Sequence, residues 1–494
     1  MLAETQSQPD GAGRTGQAFR RRLRLVCCMV ALAPLVCQPS RSEAETIRGA
    51  LAKVYVNNPE LDEQRAVVRV RDEEVPKAAA GLKPKASLSF NGGPQRTYIK
   101  APAGINQFSA RVFQTDEYSG LPRTGTFNLQ QPVFDGWKTK NAMSQAESMV
   151  EASRQALRQT EQQTLEKGAT AYMNVLRDTA VLGLRKKNIE VLQEQLRVTK
   201  DRQLFGEVTR TDVAQANAAL AQAQADYAAA EGALQNSAAI YQQIVGEEPK
   251  RLDPPPSLAH LLPQSREDAI ARAFAEHPSI IESGHQVAAA EAAVGVAESQ
   301  LMPTASVGAQ VIQQYDSYFG YPHTRQFGAQ LMAQLNVPLY QGGSEYSFIR
   351  QAKEQLGQAR IHATVQRNAV RAAVVQAFSQ FSTARASVTF NQNAVKAAEI
   401  ALRGVRDEAA FGQRTTLDVL NAQQTLLNTR VNLITSQRDV VVGSYAVLSA
   451  MGSLSIDMLD LEVTPYEPNK HFSQVKDKWI GVSGPEDATE RRYP

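Results

Sequence analysis

The chain has few of the residues that crosslink or fill compact domains. It contains only 3 cysteines in 494 residues, and these are Cys27, Cys28 and Cys37. After residue 44 the sequence therefore excludes disulfides, thiolate zinc sites and a cysteine nucleophile. Aromatic residues make up only 6% of the chain, which favours an elongated helical protein over one with several large cores.

Strong charge and long apolar runs are also scarce. The net charge is +3, and lysine and arginine form a run only near the N-terminus, so no nucleic-acid partner is expected. There the basic residues 20–24 precede the apolar residues 25–36, and small residues suited to cleavage follow. This order predicts a signal peptide over residues 1–44, because about 12 apolar residues are too few to span a bilayer. A membrane anchor and a lipoprotein site at Cys37 are the alternatives.

Residues that would carry catalysis do not cluster in the sequence. The histidines are scattered, and His277 and His285 are not at the four-residue spacing of a helical metal pair. Gly342 and Gly343 precede a helical pattern, but no phosphate-loop lysine follows them. We therefore expect no enzyme activity, no catalytic residue, no metal site and no cofactor.

The sequence does contain an internal duplication. Asn58-Pro59 corresponds to His277-Pro278, and further matches follow in the same order at an offset of about 219 and later about 206. The change of offset indicates an insertion of about 13 residues in the first copy, between Pro84 and Gln131, where we expect loops. The predicted domains are a first repeat over 45–250, a proline-rich linker over 251–264, a second repeat over 265–463 and a C-terminal extension over 464–494.

Each copy has the pattern of two strands. Apolar residues alternate with polar or small ones, and the second run of the second copy has the length of a tilted membrane strand, about 11 residues. A soluble hairpin packed on a helix is the alternative. The predicted strands cover about 85–98, 123–133, 303–315 and 325–339.

A long helical hairpin follows the strands in each copy, over about 136–246 and 343–452. Its outgoing helix has about 65 to 70 residues, or roughly 100 Å, and its return helix about 35 to 40 residues. Four membrane strands cannot close a barrel, and an open edge is not tolerated in lipid. Identical subunits would have to complete the sheet, and 8, 12 or 16 strands remain possible.

The two hairpins share one turn sequence. It reads Phe205-Gly206-x-x-Thr209-x-x-Asp212 in the first and Phe411-Gly412-x-x-Thr415-x-x-Asp418 in the second. Glycine suits the left-handed residue just past a helix end, and threonine followed three residues later by an acid suits the next helix start. Each copy of the sequence therefore predicts a tight, well-capped turn.

Together these motifs resemble the TolC family of outer-membrane exit ducts. The resemblance covers about residues 45–463 and both copies, and it rests on the two turns and on residues 131–136 (QPVFDG), 337–343 (VPLYQGG) and 414–423 (RTTLDVLNAQ). The end of the chain, around Tyr466 and Trp479, resembles the branch found with type I secretion systems.

The resemblance implies a mostly α fold with membrane β-strands, assembled as a homotrimer. The long hairpins would form an α-barrel across the periplasm, and four strands per chain would contribute to a 12-stranded barrel in outer-membrane lipid. It also implies a periplasmic adaptor (membrane fusion) protein and an inner-membrane transporter of ABC or RND type as partners in efflux or type I secretion. A periplasmic coiled-coil adaptor or scaffold without a membrane barrel is the alternative.

The resemblance further implies roles at the turns, which would form the periplasmic entrance. Asp212 and Arg414 match a gate-holding ion pair, Asp418 matches an entrance ring of acids, and Asn421 makes a second ring neutral. Ala409 stands where the family has a latch tyrosine. Helix capping is the alternative role of Asp212 and Asp418. The residues expected to contact the adaptor are Gly206, Thr209, Arg210, Thr211, Gly412, Thr415 and Thr416.

Overall fold

The computed structural model describes residues 44–105, 111–316 and 323–482. The predicted signal peptide, apart from its last residue, lies outside the described residues, and so does the stretch 483–494 of the predicted extension. No helix in the described part of the chain is long and apolar enough to cross a membrane.

Four of the described α-helices of the first copy recur in the same order in the second, and the third helix of the first copy has no α-helical counterpart there. The first copy contains α1 (Ile47–Asn57), α2 (Pro59–Asp72), α3 (Glu74–Ala79), α4 (Lys138–Leu204) and α5 (Arg210–Val245). The second contains α6 (Arg266–Glu276), α7 (Pro278–Glu298), α8 (Ser344–Ala410) and α9 (Thr416–Ala450), and α10 (Pro468–Val475) follows. The outgoing helices α4 and α8 have 67 residues each, and the return helices α5 and α9 have 36 and 35.

Corresponding helix starts use corresponding caps. The Thr46 and Ser265 side chains each accept a hydrogen bond from the backbone N–H three residues on, at the starts of α1 and α6. The Asn58 and His277 side chains cap α2 and α7 by accepting from the backbone N–H two residues on, and a proline follows each of them. Proline fits the first helical turn because the N–H it lacks would have no partner there.

Four strands form one antiparallel sheet in the order β1-β4-β5-β6. They are β1 (Lys85–Gly92), β4 (Arg123–Phe134), β5 (Thr304–Tyr315) and β6 (Arg325–Asn336). All four join the helical part of the chain at the same end of the sheet. β6 ends earlier than the predicted residue 339, since Val337 is followed by Pro338 and proline has no N–H for the ladder.

The segment between β1 and β4 differs from the prediction. We expected loops there, and the structure instead has a separate antiparallel pair, β2 (Gln95–Ile105) with β3 (Arg111–Gly120). The strand predicted over 85–98 is thus two strands, which are separated at Gly93-Pro94. A glycine and a proline interrupt strand pairing, so β1 and β2 belong to different sheets.

A shared core holds the bases of the long hairpins together. Leu51 of α1, Leu165 and Tyr172 of α4 and Leu448 of α9 are at most 1% exposed within it. A fully buried leucine contributes about 2 kcal/mol. A Cβ at Gly168 would lie 3.0 Å from Leu51, so glycine lets α1 approach α4 closely.

The last described segment, which belongs to the predicted C-terminal extension, packs on the first repeat. His471 of α10 contacts Asp72 of α2, with 2.9 Å between Nδ1 and Oδ2, and Asp72 is fully buried. The Arg154 guanidinium lies over the Phe472 ring.

The mostly helical fold with a β contribution is confirmed.

Candidate functional site at the hairpin turns

Both outgoing helices end in the same hydrogen-bonded turn. Gly206 and Gly412 have φ values of 75° and 77°, in the left-handed region where a side chain is strained. The next residue then bonds back into the helix: the Glu207 N–H donates to the Arg202 carbonyl at 3.0 Å, and the Gln413 N–H donates to the Glu408 carbonyl at 2.9 Å. This pairing satisfies carbonyls that would otherwise lack partners.

Both return helices begin with a reciprocal cap. The Thr209 N–H and hydroxyl donate to one oxygen of Asp212 at 2.8 and 2.7 Å, and the Asp212 N–H donates to the Thr209 hydroxyl oxygen. Thr415 and Asp418 repeat this arrangement. The capping role considered for both aspartates is therefore present in the structure.

The caps also keep both aspartates ionised. The Thr209 hydroxyl, followed by its N–H, lowers the pKa of Asp212 below its usual value. The Thr415 N–H and hydroxyl do the same to the pKa of Asp418. Because both folded-state pKa values are depressed, each cap is complete at neutral pH and weakens only in acid, as pH falls through the folded pKa.

Each turn is spanned by an ion pair, and the two pairs have opposite polarity. In the first turn Arg202 on the helix meets Glu207 after the glycine, at 2.9 Å between Nε and Oε2. In the second turn Glu408 on the helix meets Arg414 after the glycine, at 2.8 Å. The Glu408 carboxylate raises the pKa of Arg414. The sequence reasoning missed Arg202, Glu207 and Glu408, although opposite charges on both sides of a Phe-Gly turn were a usable signal.

The predicted latch residues do not pair within one chain. Among the described residues Arg414 contacts Glu408, and Asp212 is engaged with Thr209. A pair between Asp212 and Arg414 would have to join neighbouring hairpins of an assembly, so it stays a prediction. Asn421 is exposed one turn after Asp418, and Ala409 packs partly buried between α8 and α9.

The tips also expose apolar side chains. Leu204, Phe205 and Phe411 are 85%, 81% and 83% exposed. All but one of the residues predicted to contact the adaptor are exposed beside them, and Thr416 is half-buried. The exposed ones are Gly206, Thr209, Arg210, Thr211, Gly412 and Thr415. Large exposed apolar side chains next to polar ones are typical of a surface that contacts a partner.

A polar contact fixes the two hairpins to each other near the tips. Gln423 of α9 donates to Asn188 of α4 at 3.2 Å in a buried position. Leu192, Ala223 and Leu420 pack beside it. In the described part of the chain, no group of three or more His, Cys, Asp or Glu side chains is placed to hold a metal ion.

The sequence profile of the outer membrane efflux protein family matches residues 50–247 and 269–453, well over half of the chain. The chain belongs to this family. Outer membrane efflux protein BepC of Brucella suis is 40% identical over 95% of this chain and 98% of its own. Outer membrane protein TolC of Escherichia coli is 24% identical over 84% of each chain.

A solved structure has the same fold. The outer membrane channel CmeC of Campylobacter jejuni superposes with a TM-score of 0.70 at 16% identity, covering 87% of this chain and 89% of its own. The family match and the sequence relatives confirm the predicted family, the outer-membrane location reaching into the periplasm, and the function as a channel for efflux pumps and type I secretion. The roles of individual turn residues stay predictions.

Proposed function

We propose that three copies of this chain form one continuous exit duct, with its sheet in the outer membrane and its hairpin turns at the periplasmic entrance. The observation that carries the proposal is the two-faced sheet. One face exposes large apolar side chains, including Phe127, Val311, Phe327 and Leu331. Such a face suits lipid, and a soluble adaptor or scaffold would leave it in water.

The opposite face of the sheet is polar and internally bonded. Gln310 of β5 donates to Asn128 of β4 at 2.8 Å, and Gln330 of β6 donates to Gln310 at 2.6 Å. These amides cross three strands on the side away from Phe127 and Leu331. A polar face opposite a lipid-facing one is the pattern of strands that line a water-filled passage.

The edges of the sheet indicate that copies must join. In the described residues β1 and β6 each pair on one side only, and unpaired strand edges are not tolerated in lipid. Joining β6 of one copy to β1 of the next closes the sheet, and three copies give a barrel of 12 strands, within the known range. The helical hairpins would then surround the same axis.

The turns of such a trimer would meet the adaptor and control entry. Exposed Phe205 and Phe411 supply apolar anchors for an adaptor that links the duct to an inner-membrane transporter of ABC or RND type. Asp212 of one hairpin and Arg414 of a neighbour would hold the entrance closed, and three copies of Asp418 would surround it with negative charge. Asn421 would leave the next level neutral. Transport energy would come from the partner, and the duct itself would catalyse no reaction.

The latch is tested by single-channel recording in planar bilayers. We expect Asp212→Ala and Arg414→Ala each to raise the ratio of open to closed channels by at least about fivefold, as is typical for loss of one coupling contact. Thr209→Ala is the matched control, because it removes the hydroxyl cap and leaves the Asp212 carboxylate in place. Unchanged opening in both latch variants would refute the latch, and an equal effect of Thr209→Ala would assign it to capping.

A further inference from the structure

Two arginines flank a tyrosine at the end of the sheet farthest from the helices. Arg123 of β4 and Arg325 of β6 are both register partners of Tyr315 on β5. Register partners project from the same face of a sheet. Their guanidinium carbons lie 5.6 and 5.2 Å from the centre of the Tyr315 ring. Arg123, Tyr315 and Arg325 thus form one row across three strands, with a positive charge on each side of the ring.

This row continues the apolar face. Successive side chains alternate between the two faces, so Arg123 shares a face with Phe127, Tyr315 with Val311, and Arg325 with exposed Phe327. From the helix end to Tyr315 the strand β5 rises about 35 Å, or about 25 Å across a membrane once it is tilted. The arginines therefore lie where the apolar band would meet lipid headgroups.

The row also borders a cavity of about 910 Å³, whose walls include Phe90, Arg123, Tyr315, Thr324 and Arg325. The cavity thus places the Phe90 ring beside cationic groups.

The charge of the cavity is only partly compensated. Asp316 is the one acid among its described lining residues; its carboxylate accepts from the His323 N–H at 2.6 Å and lies 4.0 Å from Arg123. Within the described chain no carboxylate lies within ion-pair distance of Arg325. An anion would therefore find its strongest uncompensated partner in Arg325.

We propose that this row binds a phosphate group of a phosphorylated lipid in the outer leaflet of the membrane, whose acyl chains then lie along the apolar face. The proposal rests on the proposed function, which sets the helices on the periplasmic side and this end of the sheet on the outer side. Arginine binds phosphate through two parallel hydrogen bonds, and the apolar face continues directly from the row. Charge and apolar contact therefore both fit such a lipid.

The test titrates the purified full-length protein in detergent with diphosphoryl lipid A, with the same lipid after its phosphates are removed, and with inorganic phosphate alone, read by native mass spectrometry. We expect preferential binding of the diphosphoryl lipid, weakened at least about fivefold by Arg325→Gln and less by Arg123→Gln, which Asp316 already offsets. Arg96→Gln is the control for an arginine over a tyrosine elsewhere, since Arg96 lies over Tyr98 on the separate β2–β3 pair and is ion-paired with Glu117.

Several outcomes would overturn the assignment. If the dephosphorylated lipid bound equally well, the acyl chains alone would account for binding and the phosphate site would be refuted. If inorganic phosphate bound equally well, the site would bind free phosphate and not a lipid. An Arg96→Gln loss as large as that of Arg325→Gln would indicate general surface charge. Bilayer recordings on the same preparation separate the two proposals: a conducting protein with unaltered lipid binding in Arg325→Gln refutes only this site, whereas a protein that never inserts refutes the duct.

Discussion

His277 caps α7 with a ring nitrogen, at the position where the first copy has Asn58. The Ser279 N–H donates to Nδ1 at 3.2 Å, and the residue is 5% exposed. Burial lowers the pKa of His277 from 6.5 to about 4. The neutral ring is therefore part of the folded structure, because a protonated Nδ1 could no longer accept this bond.

This cap predicts acid sensitivity. A depressed histidine pKa contributes stability that is fully present above pH 6.5 and is lost as pH falls towards about 4, so the free energy of unfolding should drop by up to about 3 kcal/mol per chain. His277→Asn, which copies the first repeat, should remove most of this drop. Thermal unfolding at pH 7 and pH 4.5 measures it, with exposed His260→Asn as the control. The same pH dependence in His277→Asn and the parent would contradict the assignment.

Asp418 is the residue through which we expect cations to act on the entrance. A ring of like charges in a narrow passage attracts multivalent cations, so Asp418→Asn should weaken block of the channel by hexamminecobalt by about tenfold in concentration. Asp201→Asn removes an acid that is exposed on α4 and paired with Arg197, and it should leave block unchanged. Full block persisting in Asp418→Asn would move the cation site elsewhere.

Helix α10 is attached to the first repeat through His471 and Phe472. Asp72 is fully buried and His471 is its hydrogen-bond partner, while Arg154 lies 4.0 Å away. Removing the histidine leaves a buried carboxylate without that bond, which costs about 1–3 kcal/mol. The burial of this carboxylate also raises the pKa of Asp72.

The consequence should be visible as local opening. In His471→Ala we expect amide hydrogen exchange in α10 to rise about tenfold, whereas Lys470→Ala, an exposed neighbour on the same helix, should leave exchange at the parent rate. Mass spectrometry of peptides covering residues 464–482 measures both. Equal exchange in the two variants would mean that the His471–Asp72 contact does not hold the segment.

At the scale of the whole molecule the sheet predicts the number of chains. In the described residues this sheet has four strands and two unpaired edges, so we expect three chains in native mass spectra of the detergent-purified protein, at every dilution tested. The physical reason is that the β1 and β6 edges must pair across copies in lipid. A stable dimer or a monomer that still conducts ions in bilayers would contradict the proposed assembly.

Long periodic elements were predictable from the sequence because their signals are local. Runs without proline predict α4 and α8, and the Phe-Gly and Thr-x-x-Asp patterns predict both turns. The β2–β3 pair was not predictable in the same way, since Pro102 and Gly104 interrupt its alternation and produce a register shift. Its strands are held by pairing with each other, which depends on residues distant in sequence.

The sequence by itself determined the duplication, the family, the helical hairpins and the capped turns, because caps, glycine turns and periodicity act over a few residues. Only the tertiary structure decided which groups meet across long separations. It docked His471 on Asp72, and it aligned Arg123 and Arg325 on both sides of Tyr315. Those contacts follow from strand register and helix packing, which join distant parts of the chain.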